Sequence, residues 1–482
     1  MAEHLYRFRS TKYLLGEKYQ ELDRQEIYFP SLKELNDPME GFMDLFWSGD
    51  KIVWTNLLRH YLLCLDRVYI QFMLNGNSAA IDLASIPVMQ TENDLPTQKC
   101  KDGYKEICDR FFSTPSVAEY AETLPSRKSP VRRDELCVHL RTLHYEALSA
   151  IVAAYRHLGL MTDGPASDTL RALCEKVPPL PQVIALTNRL EESHPDVPDG
   201  SDQLYAGVNR ASMQGNLITK YNSPLSSNDH NRAFIFLDFP TQYVEALEQT
   251  LYIDWYTACF SGNCVNSSMW ANYADKHKGA CLKFKTGTNA GNPTLSLYGI
   301  TGWRGSKNPP APVPIRGYAQ YQFHKVVYDR PYPEIDFFRS LGRLRGPALS
   351  WWYSDGKGNS SSCFQDVFGN EEPWREKYSA ELAVAQTTKL QDWTYEDEYR
   401  LVLASYLTDY SNPSDRKLKY RFEDLSGIIF GINTAEEDKL SIIRTIQTIC
   451  RKEQRKEFEF FQAHYSKRAG GIDVSPLPLI KV

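Results

Sequence analysis

An α+β fold is what this sequence predicts: one core assembled from both ends of the chain, with a large helical insertion between them. Two observations predict it. Strand-like text stands near 5–29, again at 256–284 and again beyond 393, whereas residues 51 to about 250 follow helical spacing. The 482 residues are 42% hydrophobic, 24% charged and 12% aromatic, which supplies a full core and excludes a disordered or fibrous chain. The expected organisation is a first part of the core at 1–50, the helical insertion at 51–250, and the rest of the core at 251–482.

Taken in order, Leu5-Tyr6-Arg7-Phe8-Arg9 alternates as a short strand, with Leu5, Arg7 and Arg9 on one face and Tyr6 and Phe8 on the other. Ser10 can cap a helix through Leu14, Leu15 and Tyr19. Ile27-Tyr28-Phe29 reads as a second strand stopped by Pro30, and Asn36-Asp37-Pro38 as a turn. In the insertion, Leu57, Leu58, Tyr61, Leu62 and Leu65 keep helical spacing. Loops separate the helical pieces at Val177-Pro178-Pro179-Leu180-Pro181 and at His194 to Gly200. Strand text resumes at Phe234-Ile235-Phe236-Leu237 and at Tyr256 to Ser261. A helix is expected next, capped by Asn266 or Ser267 and ended by Gly279, with Trp270, Tyr273, Ala274 and His277 on one face and Lys276 and Lys278 in its last turn. Cys281 to Phe284 reads as a strand, and 285–316, with Lys307-Asn308-Pro309-Pro310-Ala311-Pro312, as loop. Gly356 to Ser362 is a second loop. At the end stand a strand to Leu403, a buried strand Leu425 to Gly431, a helix from about Glu436 to Lys452, and a last strand at Phe458 to Phe461.

Several function classes are disfavoured. Net charge is −5, so a strongly basic nucleic-acid coat is absent. The longest apolar stretch, Trp54 to Leu74, carries Arg59, His60, Asp66 and Arg67, which disfavours a membrane span. Met1-Ala2-Glu3-His4-Leu5 lacks the basic start and apolar core of a signal peptide. Ten scattered cysteines without a CxxC pair point to reduced thiols and a cytoplasmic setting. Cys259, Cys264, His277 and Cys281 have zinc-like spacing, but Gly279 ends the expected helix before Cys281, so no metal is expected. No GxGxxG, P-loop, HExxH or GxSxG motif is present.

Four blocks, LYRFRS (5–10) with IYFPSLKELNDPMEG (27–41), CFS (259–261) with MWANYADKHKGACLKF (269–284), WTYEDEYRLV (393–402) and LSGIIFGI (425–432), resemble the domain of unknown function 2971 family. The resemblance covers about half the chain. It implies a bacterial defence setting, with anti-phage activity or toxicity as the cellular role. The layout is similar, by analogy, to an ADP-ribosyltransferase-like split sheet core. That analogy implies an early-strand arginine, a middle-strand serine and a late-strand glutamate gathered around NAD. The matching residues are Arg7 or Arg9, Ser261, and Glu396 or Glu398. No Ser-Thr-Ser run follows the middle strand.

The late block is the sharpest chemical feature. Alternation puts Glu396, Glu398 and Arg400 on one strand face. In the ADP-ribosyltransferase reading, Glu398 is the catalytic carboxylate that stabilises the oxocarbenium-like ribose, and Glu396 assists. Arg7 or Arg9 then holds the NAD pyrophosphate, with Ser261 and Arg400 beside it and Tyr6 or Tyr273 stacked on the nicotinamide. The plain alternative is a solvated strand face with a Glu–Arg pair, and the aromatic stripe of Trp270 and Tyr273 as core packing. The function this implies is a soluble NAD-using effector enzyme that transfers ADP-ribose to a protein or nucleic-acid acceptor, or hydrolyses NAD. The alternative is a non-catalytic binding or sensor protein that meets a partner through 51–250. A nuclease ranks third, for want of further Mg²⁺ ligands.

Overall fold

A computed structural model of the chain describes residues 3–161, 180–194, 200–222, 230–305, 312–369, 371–468 and 470–482. Its strands, in chain order, are β1 (His4–Arg9), β2 (Glu26–Tyr28), β3 (Asp44–Trp47), β4 (Val131–Arg132), β5 (Trp255–Ser261), β6 (Ala280–Lys285), β7 (Gly287–Asn289), β8 (Asn292–Arg304), β9 (Val313–Lys325), β10 (Glu334–Asp336), β11 (Glu398–Ala404), β12 (Lys417–Tyr420), β13 (Leu425–Phe430), β14 (Glu459–Ser466) and β15 (Gly471–Pro476). The chain divides into two units. One comprises Met1–Phe42, Ile253–Pro333 and Leu382–Val482; the other comprises Met43–Tyr252 and Glu334–Glu381.

The first unit is built on one curled sheet in the order β15-β14-β13-β6-β1-β5-β11-β9-β8-β12-β2, with β7 beside β8. The four segments expected to share a sheet, β1, β5, β6 and β11, are neighbours in it. Alternation gives the sheet two apolar faces. Leu5, Phe260, Leu282, Phe284 and Leu401 face a core completed by Leu14 and Leu22 and by Ile442, Ile446 and Ile449 of the helix Glu436–Lys452. Phe8, Cys281 and Ile429 face the opposite way, onto Met269 and Trp270 of the helix Ser267–Tyr273. Phe8 meets Trp270 edge to face at 5.0 Å, a favoured aromatic geometry.

The second unit is mainly helical. Its longest helices are Lys51–Asn75, Arg133–His157 and Gly200–Asn222, beside a small sheet in the order β10-β3-β4. Asp50 caps the first of these: Oδ1 accepts from the Ile52 and Val53 amides, and Oδ2 from the Ser362 amide at 2.7 Å.

Three expectations change. Phe234–Asp238 is a π-helical turn rather than a strand; Pro240, in the next turn, lacks the N–H that regular helix bonding needs. The stretch 285–316, expected as loop, instead holds β7, β8 and the start of β9, and β8 and β9 form a long ribbon registered from Thr294↔Gln322 to Arg304↔Val313. The helix after Asn266 ends at Tyr273, not Gly279. Asp275, Lys276 and His277 all take positive φ, so His277 does not continue the Trp270–Tyr273 face, and Lys276 and Lys278 lie beyond the helix. Gly279 is required for another reason: a Cβ there would stand 2.2 Å from the Arg9 carbonyl. The Val177–Pro179 part of one expected loop, residues 195–199 of another, and the 307–311 part of a third lie outside the described residues.

Candidate functional site

The site begins with how three strands meet. β5 pairs with β11 along its whole length, from Glu398↔Ser261 to Ala404↔Trp255. With β1 it shares one ladder pair, Tyr6↔Ser261. Further down, the other edge of β5 is taken by the chain leaving β2: Thr257 donates its amide to Pro30 O at 3.1 Å, and Ser31 bridges Tyr256. A gap therefore opens beside residues 258–260. Tyr6, Ser261 and Glu398 stand in one row across β1, β5 and β11, and directly paired residues share a face.

A cleft of about 680 Å³ follows this gap. Its lining includes Tyr6, Arg7, Arg9, Glu40, Cys259, Ser261, Tyr273, Lys389, Glu396 and Glu398. Arg7 fills part of the gap. Its guanidinium is 6% exposed, donates to Tyr28 O at 3.1 Å and Cys259 O at 3.4 Å, and stands 5.3 Å from the Phe260 ring centre. It has no ion-pair partner among the described residues. Burial, then the charge of Arg9, lowers its pKa to about 10. Arg9 is engaged: it forks onto Glu21, with Nε 2.8 Å from Oε2, and lies 4.3 Å from the Tyr13 ring centre.

The carboxylates lie on the other side of the gap, and one expectation about them changes. Glu396 is not on the strand. It closes the 3₁₀ turn Gln391–Glu396, and Asp397, at φ +41°, turns the chain into β11 at Glu398. The turn fits because position 262 is glycine; a Cβ there would meet Asp397 Oδ2 at 2.2 Å. Nor is the face solvated: Glu396 and Glu398 are 3% and 2% exposed.

Both are held by a buried charge network. Arg400 grips Glu398 with Nε–Oε1 at 2.9 Å and Nη2–Oε2 at 3.0 Å, and gives Nη1 to Gln386 O at 2.8 Å. Lys389 Nζ donates to Glu396 Oε2 at 2.6 Å and Glu398 Oε2 at 3.3 Å. Glu40 arrives on the Asn36-Asp37-Pro38 turn, where Asp37 Oδ1 accepts from the Met39 amide at 2.9 Å. Glu40 Oε1 forms an ion pair with Arg400 Nη1 at 2.5 Å, without hydrogen-bond geometry, and its Oε2 stands 3.8 Å from Lys389. Tyr273 donates its hydroxyl to Glu396 Oε1. Ser261 Oγ reaches the backbone carbonyls of Glu396 at 2.7 Å and Asn263 at 3.0 Å. The Glu398 amide donates to Tyr328 Oη at 2.9 Å.

Burial raises every carboxylate here, and the charges then divide them. On Glu398 the cations Arg400 and Lys389 overcome burial and hold it at about 2. On Glu396 burial prevails over Lys389, with Glu398 adding to it, and the pKa stays above the ordinary value. Glu40 is raised in the same way, against Arg400. Two neighbouring carboxylates are thus pushed apart in acidity, the arrangement that assigns acid–base roles.

The structure therefore brings Tyr6, Arg7, Arg9, Ser261, Tyr273, Glu396 and Glu398 to one cleft. Arg400 stands behind Glu398 and does not line it. Lys389 and Tyr328 escape sequence reasoning, because each sits in a connecting segment with no periodicity to mark it. Glu40 was visible only as a neighbour of the Asn-Asp-Pro turn. Cys259, Cys264, His277 and Cys281 are not gathered: among the described residues no cluster of three or more His, Cys, Asp or Glu suits a metal. No family model, curated protein or solved structure matches this chain.

Proposed function

We propose that the protein cleaves the bond between nicotinamide and ribose in NAD, passing ADP-ribose to a macromolecular acceptor or to water. The observation that carries this reading is Arg7, a buried arginine with no ion-pair partner among the described residues, which lines the same cleft as a pair of buried carboxylates. A buried, unpaired cation is costly unless an anion completes it. Guanidinium geometry suits a phosphate oxygen pair. A ligand with a pyrophosphate at one place and developing positive charge at another matches both groups, and NAD has that chemistry as its glycosidic bond breaks. Ser261 and Tyr273 contribute by fixing residue 396, since their hydroxyls bond its carbonyl and its carboxylate.

The test is nicotinamide release from NAD by purified protein, alone and with candidate protein or nucleic-acid acceptors. Release is expected, and Arg7→Met should raise KM for NAD about 10- to 100-fold, the effect of losing hydrogen bonds to a charged group. A folded wild-type protein that neither binds nor consumes NAD defeats the reading. Toxicity in bacteria that disappears with the same substitution would tie the activity to a defence role.

A second reading, a binding module acting through its helical unit, is favoured by one observation. On the helix Gly200–Asn222, Leu217, Ile218 and Tyr221 are 66, 59 and 89% exposed, more apolar surface than a lone helix face usually leaves open. Loss of partner capture in Leu217→Ser/Tyr221→Ser protein, with no NAD chemistry in the wild type, would favour it.

A further inference from the structure

Glu396 and Glu398 differ in how much of each carboxylate is left for a ligand. A carboxylate offers about four acceptor positions. Three of those of Glu398 are filled from within, two by the Arg400 fork and one by Lys389 Nζ. Glu396 accepts from Tyr273 on Oε1 and from Lys389 on Oε2, leaving two positions open. Both residues line the cleft.

We infer that Glu396 is the carboxylate that meets the substrate, and that Glu398 is a positioning residue holding Lys389 and Arg400 in place behind it. The inference rests on the NAD reading and divides its labour. The C1′–N bond of NAD breaks and its electron pair leaves with nitrogen, giving neutral nicotinamide. The open oxygens of Glu396 face the cation left on C1′. An acceptor O–H or water then forms the new C1′–O bond and passes its proton to Glu396. Lys389, charged and bonded to both carboxylates, keeps Glu396 from collapsing onto the cation it must stabilise. The charged and titratable groups around Glu396 are Lys389, Glu398, Tyr273, Tyr328 and Tyr395, with Glu40 and Arg400 one bond further through the network. Of these, Glu398 is the near anion.

The experiment compares Glu396→Gln and Glu398→Gln in the full chain with NAD as probe, reading nicotinamide release, NAD affinity and thermal melting. Glu396→Gln should melt close to wild type, keep NAD affinity within about threefold, and lose about 10²- to 10³-fold in kcat. Glu398→Gln should melt lower. What activity it retains should show its acid limb at lower pH, because a neighbouring negative charge no longer raises Glu396; a merely structural role would leave the limb in place. A folded Glu396→Gln protein turning over like wild type, beside an inactive Glu398→Gln protein of normal melting, reverses the roles and overturns the inference. The melting comparison decides the anchor by itself, even where wild-type protein leaves NAD intact. That outcome would defeat the NAD reading, and Glu396's role with it. Should Glu398→Gln fail to fold, Lys389→Met supplies the same pH comparison: removing the near cation should move the acid limb up, and an unmoved limb overturns the inference.

Discussion

Replacing Glu398 by glutamine leaves Arg400 and Lys389 against an uncharged amide at a 2%-exposed position. Breaking a buried pair from one side costs about 3–5 kcal/mol, so Glu398→Gln should lower the urea unfolding free energy by that order; a change under about 1 kcal/mol would show that the pair is hydrated in solution. pH separates the two glutamates. Glu398 titrates near 2 in the fold against 4.5 in the free side chain, so its contribution is present above 4.5 and is lost as pH falls toward 2. Glu396 is shifted the other way: the folded state holds its proton more tightly, and its contribution grows as pH falls from the folded pKa to 4.5. Wild-type protein should therefore gain stability relative to Glu396→Gln on acidification from pH 7 to about 4.5. Parallel denaturation curves across that range would contradict it.

In the helical unit, tyrosines and histidines tie the helices to each other. Tyr61 of Lys51–Asn75 donates to His144 Nδ1 of Arg133–His157 at 2.8 Å, and His144 Nε2 donates to Ile235 O at 2.7 Å. His60, one residue before Tyr61, joins Tyr243 at 2.8 Å and Val88 O at 3.0 Å. Each imidazole uses one nitrogen as acceptor and one as donor, as the neutral ring does. Burial lowers both to about 4 from 6.5. Their contribution is complete above 6.5 and lost as pH falls toward 4, on the order of 3 kcal/mol each. Hydrogen-exchange protection of the two helices, corrected for intrinsic rates, should drop between pH 7 and pH 5. The helix Lys51–Asn75 was legible from the spacing of Leu57, Tyr61, Leu62 and Leu65, and Arg133–His157 more loosely from Leu140, Leu143, Leu148, Ile151 and Val152, as β1 was from its alternation and the helix Ser267–Tyr273 from its Asn266 cap. The β8–β9 ribbon was not legible, because most of its side chains are exposed and Gly299, Gly302 and Pro314 interrupt the pattern. The site was half legible. Alternation marked Glu398 and Arg400, but the positive φ of Asp397 that detaches Glu396 depends on Gly262, more than 130 positions away, and nothing local announces Lys389.

At the scale of the whole molecule, the helical unit is not one stretch of chain. β10 adds in parallel to β3 through Ile335↔Leu45. Asn56 Nδ2 donates to the carbonyls of Trp351, Trp352 and Ser354 at 2.9–3.1 Å. A fragment of 43–252 alone loses these bonds and uncovers the buried rings of Trp47 and Trp54, which pack on Phe337 and Phe338 at 5.5 and 5.2 Å. It should be unfolded or aggregated by circular dichroism and gel filtration, whereas 43–252 linked to 334–381 should fold. A cooperative melt of the shorter fragment would show the second segment to be dispensable.

β1 occupies an inner place in its sheet, between β6 and β5, and its two partners lie some 250 residues further along. On a ribosome adding about 5–20 residues per second, His4–Arg9 waits on the order of tens of seconds before either neighbour exists. Throughout that time a strand carrying Leu5, Arg7 and Phe8 has both edges bare, the condition that invites pairing with other chains. The helical residues that emerge in the interval cannot cover it by strand pairing. Nascent chains of this protein are thus expected to be held by a chaperone until residue 285 has left the exit tunnel. Synthesis in a system stripped of chaperones should give less soluble product as translation is slowed; a yield that does not fall would show that the waiting time is unimportant.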